Sequence, residues 1–207
     1  MKQINLGKPH TVSASLCVED VLNSSQENPV VIKFSTDTSE SIKAAEANGK
    51  EVIFGAIYIA QMIENIITKE LFGNGMYPSN EQNFFNNEIM KSSAISFQFK
   101  KELIMKILKK KEYLTGKERN GLNQEISSLN KARNALAHGK IRFDMSKGTI
   151  LEYYSGNRKE DVLDDAYWSA IEYSYGAVTS LLEKARKSQE RLWIEQNPNW
   201  MNESPRS

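Results

Sequence analysis

The chain has 207 residues, enough for one well-buried core or for one core with an appendage. Its 27 Lys+Arg against 26 Asp+Glu leave a net charge of +1, which excludes a global field for polyanions, so any nucleic-acid binding needs a local patch. The single cysteine, Cys17, excludes an intrachain disulfide, and with only His10 and His138 beside it there is no Cys/His metal cluster. A reducing, cytoplasmic setting with no metal and no cofactor is expected.

Lys2 and Lys8 lead into "TVSASLCV", but that apolar run is too short and too rich in serine for a secretory signal. Residues 1–36 read as an N-terminal extension in which "PVVIKF" (29–34) makes a short strand. From Asp37, a capping pair with Glu40, apolar residues recur at helical spacing: Ile42, Ala45, Val52, Ile53, Ala56, Ile57, Ala60, Ile63, Ile67 and Leu71. This predicts a long helix that stops at Gly73-Asn74-Gly75, then a loop at "MYPSNEQ". The run "VIFGAIYIAQMI" (52–63) lies between Glu51 and Glu64 and falls well short of the roughly 20 apolar residues of a membrane span, so a buried helix and no membrane are expected.

A second helical region covers about residues 81–113 and breaks near Ser92-Ser93. Its later part turns Phe99, Leu103, Ile107 and Leu108 inward and carries Lys100, Lys101, Lys106, Lys109, Lys110 and Lys111. A third helix runs from Lys117 to Ala137. "KIRFDMSKGTILEYY" then alternates Ile141, Phe143 and Met145, turns at Ser146-Lys147-Gly148 and returns with Leu151 and Tyr153, a β-hairpin. A last helix starts at the acids Asp161, Asp164 and Asp165, buries Leu163, Tyr167, Ala170, Ile171, Val178, Leu181 and Leu182, and closes on Lys184, Arg186 and Lys187. Residues 189–207 form a polar tail with Trp193 and Trp200. The expected fold class is all-α: four or five helices, filling residues 37–188, with one small hairpin after the third helix.

The informative stretch is "SSLNKARNALAHGKIRF" (127–143). At about 100° per residue, Leu122, Ile126, Leu129 and Leu136 form an apolar stripe whose missing position is 133, where the sequence supplies arginine. An unpaired guanidinium inside is expensive, so Arg133 needs a carboxylate, an anion or water. One reading pairs it with a carboxylate from another helix or lets it snorkel out, and leaves His138 to decorate the helix C-terminus before Gly139. The other makes an active site, with Asn134 placed i, i+4 to orient the His138 imidazole. Arg133 and His138 diverge by roughly 140° on a regular helix, so the helix must unwind near Ala137 or a second copy must complete the cleft.

"RNALAH" (133–138) resembles the R-x4–6-H signature of the HEPN superfamily, in the form with a polar residue after the arginine that is typical of its ribonucleases. The upstream "SFQFKKELIMKIL", the "AHGK" exit, the hairpin and the acid-capped last helix also resemble that layout, over residues 40–187. The resemblance implies a HEPN-like bundle that forms a homodimer through the motif helices and cleaves RNA without a metal in a composite cleft. It implies His138 as general base or acid, an imidazole changing charge near neutral pH. Arg133 would grip the scissile phosphate, and Asn134 would hold the imidazole or the phosphate. The products would be a 2′,3′-cyclic phosphate and a 5′-hydroxyl. A toxin or antiviral effector is the implied setting, held by a separate antitoxin or regulatory protein. Lys100, Lys101 and Lys140 are the candidate RNA-backbone contacts; for the lysines of 100–111 a solvated face that avoids the apolar stripe is the simpler account. The alternative function is a HEPN-like module that binds RNA, a nucleotide or a protein without cleaving.

Overall fold

A computed structural model describes residues 36–73, 79–92 and 94–198, with side chains from Thr38 onward. The N-terminal extension and its strand at 29–34, His10, Cys17, the Asp37 cap, Asn74-Gly75 and Trp200 lie outside the described residues. In chain order the elements are α1 (Thr36–Phe72), α2 (Asn80–Phe84) running into a π-helical turn (Phe85–Met90), α3 (Phe97–Lys111), α4 (Gly116–His138), β1 (Lys140–Asp144), β2 (Gly148–Ser155), β3 (Asn157–Val162) and α5 (Asp165–Gln196). The described chain is therefore mostly helical, with a small three-stranded antiparallel sheet. The described residues divide into two compact units, one of α1 up to Ile53 with Ala132–Glu172 and one of Phe54–Lys131 with the chain from Tyr173, so α1, α4 and α5 each contribute to both.

The first unit holds the sheet. β1 pairs with β2 in the register Lys140 to Glu152 and Asp144 to Gly148, and β2 pairs with β3 from Ile150–Val162 to Ser155–Asn157. The Asp144 carboxylate makes the first turn: it accepts bonds from the Ser146 hydroxyl (2.6 Å) and from the amides of Ser146 and Lys147. Those bonds, the Ser146 hydroxyl foremost, hold its pKa down to about 2. Gly148 and Gly156 take the left-handed backbone (φ +82° and +79°) that the two reversals require. Leu151, Tyr153, Leu163, Trp168 and Ile171 are buried in this unit together with Ala45 and Val52 of α1. α1 approaches α4 closely at Gly49, where a Cβ would sit 3.4 Å from Leu136 Cδ2.

The second unit is all helix. Ile59, Ile63, Ile66 and Ile67 of α1, Ile104 and Leu108 of α3, Leu122 and Ile126 of α4, and Val178 and Leu182 of α5 are fully buried. Side chains close the helix starts: Ser79 and Gln82 make a reciprocal capping box on α2, Ser96 Oγ accepts from Phe99 N on α3, and Thr115 and Glu118 exchange bonds at the start of α4. Glu70 gathers Lys111, the Tyr113 hydroxyl and the Gln189 amide, and Gln189 also donates to Ile66 O at 3.0 Å.

Several expectations are corrected. The hairpin is a three-stranded meander, because "NRKEDV" pairs as an edge strand although it lacks any apolar alternation. Asp161 consequently lies on a strand; Asp164 caps α5 by accepting from Tyr167 N at 2.9 Å. α5 does not close at Lys187 but continues to Gln196, so residues 189–196 are helix and not tail. Trp193 lies against Gly73, whose absent Cβ would sit 3.4 Å from the indole nitrogen. On α3 the buried line is Lys100, Ile104 and Leu108, whereas Phe99 is 49% exposed. Ile57, Leu71 and Ala170 also face outward, since their helices bury a different arc from the one assigned. α1 is long and apolar enough to cross a membrane by length and composition, but half of its most apolar window is buried within the protein.

Candidate functional site

α4 delivers the motif, and its burial pattern explains where Arg133 lands. Leu122, Ile126 and Leu129 form the buried line as expected. Beyond Leu129 the burial drifts around the helix to Ala135, with Ala132 and Leu136 partly covered. Arg133 lies on the other side of Leu129, roughly 40° away, and is left at the margin of the stripe. It is half-exposed, not enclosed, and its Nη1 donates to Asn134 Oδ1 at 2.8 Å. Among the described residues no carboxylate lies within ion-pair distance of it. Of the alternatives left open for Arg133, its half-exposed position fits a side chain that reaches the surface and does not need a buried counter-charge.

His138 is the last residue of α4 and is exposed, without a hydrogen-bond partner among the described residues. Asn134 is exposed as well, and its oxygen serves Arg133 instead of the imidazole. α4 stays helical through His138. There is no unwinding at Ala137, and within one chain Arg133 and His138 point well apart.

The helix exit is fixed by Gly139. Its N–H donates to Ala135 O at 2.7 Å. A Cβ there would fall 2.5 Å from Ala135 O, 2.7 Å from Leu151 Cδ1 and 2.9 Å from Glu152 O. Two of those three obstacles are backbone, so only glycine permits α4 to end directly against β2. This seats His138 at a defined point beside the sheet. Sequence reading took Gly139 for a helix stop and missed the close approach, which depends on a strand twelve residues away.

Of the lysines, Lys100 is not available to a ligand. It is 8% exposed, and its Nζ donates to the buried Glu64 carboxylate at 2.6 Å. The candidate RNA contact is thus an internal ion pair between α1 and α3. Lys101 is partly covered and donates to Ser127 Oγ at 2.6 Å. Lys140 is exposed at the start of β1, and no carboxylate lies within ion-pair distance of it among the described residues. Lys140, Asn134 and His138 are the exposed members of the predicted set, and Arg133 the half-exposed one.

Behind the sheet, burial raises the Tyr153 hydroxyl pKa, helped by its bond to Asp161. Tyr167 is raised by burial and by Asp161 and Tyr153, and its hydroxyl and the Trp168 indole nitrogen are buried with no hydrogen-bond partner among the described residues. These groups pack the sheet. On its opposite face, Arg142 bonds Glu152 and Glu160, Arg158 bonds the same two carboxylates, and Lys147 bonds Glu160. Among the described residues no three His, Cys, Asp or Glu side chains are grouped so as to hold a metal ion. No protein-family model, no curated protein and no solved structure matches the chain.

Proposed function

We propose that the protein is an endoribonuclease of HEPN type that cleaves RNA without a metal, in a cleft completed by a second copy of the chain. One observation carries the reading: a half-exposed cation and an exposed imidazole, Arg133 and His138, have no carboxylate partner among the described residues and sit on one helix whose end is locked by Gly139. Because α4 stays regular, one chain does not aim both at the same phosphate, and a two-fold pairing of motif helices would bring Arg133 of one copy to His138 of the other. His138 would take the ribose 2′ proton or give one to the leaving 5′ oxygen. Arg133 would bind the phosphate and the charge that develops on it. In-line attack of the 2′ oxygen then leaves a 2′,3′-cyclic phosphate and a 5′-hydroxyl. The proposed setting is cytoplasmic, as a toxin or antiviral effector restrained by a separate regulatory protein.

The second reading, RNA or partner binding without cleavage, draws on Asn134, whose amide oxygen is engaged by Arg133 so that the imidazole lacks an orienting partner. RNA cleavage in excess EDTA separates the two. Wild type should cut and His138→Ala should not, while keeping the same circular dichroism. Binding without cleavage by wild type, lost in Arg133→Ala, would favour the second reading.

A further inference from the structure

Next to the His138 exit, the sheet face opposite Tyr153, on which Ile150 is buried, carries at its far end an aromatic ring that is exposed among the described residues. Side chains alternate along β2, so the buried Tyr153 packs behind the sheet and Tyr154 projects from the other face. Tyr154 is 77% exposed, more than any other large hydrophobic side chain among the described residues. The register sets its neighbours. Lys140 opposes Glu152 and Tyr154 opposes Arg158, so Lys140, two residues past His138, is the diagonal neighbour of Tyr154 on the same face. The adjoining reversal is open: among the described residues nothing lies within 4 Å of where a Cβ on Gly156 would be.

The floor beside the ring is laced by ion pairs. Arg158 Nη2 is held by Glu152 at 2.9 Å and Glu160 at 3.2 Å, which leaves its guanidinium committed to the sheet and not to the tyrosine. A single exposed aromatic is ordinary on a protein surface. An aromatic on the central strand, beside a lysine with no ion pair among the described residues and a short step along the backbone from an exposed histidine, is the arrangement that single-stranded RNA recognition uses: a base on the ring, a phosphate on the cation.

Resting on the ribonuclease reading, we propose that Tyr154 stacks an unpaired nucleobase of the RNA beside the scissile phosphate, while Lys140 contacts the adjoining backbone phosphate. The site takes single-stranded RNA and reads it by stacking, so it holds the strand against His138 with little preference among bases.

The test uses the full chain with His138→Ala as parent, so that binding is measured without cleavage, and a fluorescein-labelled single-stranded RNA of mixed sequence as probe. Tyr154→Ala should weaken binding about tenfold or more, and Tyr154→Trp should preserve it. Lys140→Ala should weaken it and flatten the dependence of log K on log salt by about 0.7. Binding by Tyr154→Ala within twofold of the parent overturns the stacking site while leaving the ribonuclease reading intact. A parent that binds no RNA overturns both. Light scattering supplies the remaining outcome: if Tyr154→Ala turns a dimer into a monomer, the ring is a contact between copies and the proposal is wrong.

Discussion

Gly139 and Glu70 illustrate what single residues contribute. At Gly139 a methyl group would meet two carbonyl oxygens that belong to fixed backbone, so Gly139→Ala must shift the end of α4 relative to β2. A cost of about 1–3 kcal/mol is expected, and trimming Leu151 should not restore it, because the two backbone clashes remain. Urea unfolding of Gly139→Ala alone and with Leu151→Ala checks this. Glu70 is a second case. Burial alone would raise its pKa, but bonds from Lys111, Tyr113 and Gln189 outweigh that and hold it below 4.5. A carboxylate held low in the folded state contributes stability above its unfolded pKa, and that contribution is lost as pH falls through the folded value. Glu70→Gln should therefore be less stable than wild type by about 1–2 kcal/mol near neutrality, with the gap closing below 4.5. Urea midpoints taken in neutral and in acidic buffer measure it, and a gap that persists in acid would contradict the linkage.

Among the elements, the helices were legible because their apolar spacing is local information. α1 and α4 match the predicted ranges closely, and the Asp144 to Gly148 turn falls where its residues placed it. β3 was not legible. "NRKEDV" has no apolar member before Val162, and its charges answer to Arg142, Glu152 and Lys147 across the sheet, partners that a linear pattern does not reveal. Charged side chains are also what an edge strand uses against edge-to-edge pairing. Lys100 failed for a related reason: its carboxylate partner is 36 residues away, so in sequence it looked like one more solvated lysine. Breaking that pair by Glu64→Ala or Lys100→Ala should cost about 3–5 kcal/mol, because the survivor is a buried charge. The double change Glu64→Leu with Lys100→Met should cost less than either single one, as measured in a thermal-unfolding cycle. Two helical glycines offer the opposite sign. A Cβ at Gly121 of α4 or Gly176 of α5 meets nothing within 4 Å, and neither has positive φ. Gly121→Ala and Gly176→Ala should each raise stability by about 0.5–1 kcal/mol, read as a higher melting temperature.

For the whole molecule, the candidate site was half legible. The motif residues stood out through one polar intrusion in an apolar stripe. Their exposure did not, because it depends on burial drifting from Leu129 to Ala135, which only the packed chain reveals. The alternation already set Tyr153 inward with Leu151, as it is; the neighbours of Tyr154 on the other face, Lys140 and Arg158, came only with the register. Since Arg133 is half-exposed and among the described residues bonds only its neighbour, Arg133→Leu should change stability by no more than about 0.5 kcal/mol while abolishing RNA cleavage. A composite cleft makes a sharper demand. Arg133→Ala and His138→Ala, each inactive alone, should recover cleavage when co-refolded, because the mixed dimer carries one intact Arg133 opposite one intact His138. The most direct measurement is RNA cleavage in excess EDTA by wild type and His138→Ala. Wild type should yield fragments ending in 2′,3′-cyclic phosphate and His138→Ala none; equal cleavage by both, or none by either, would contradict the ribonuclease.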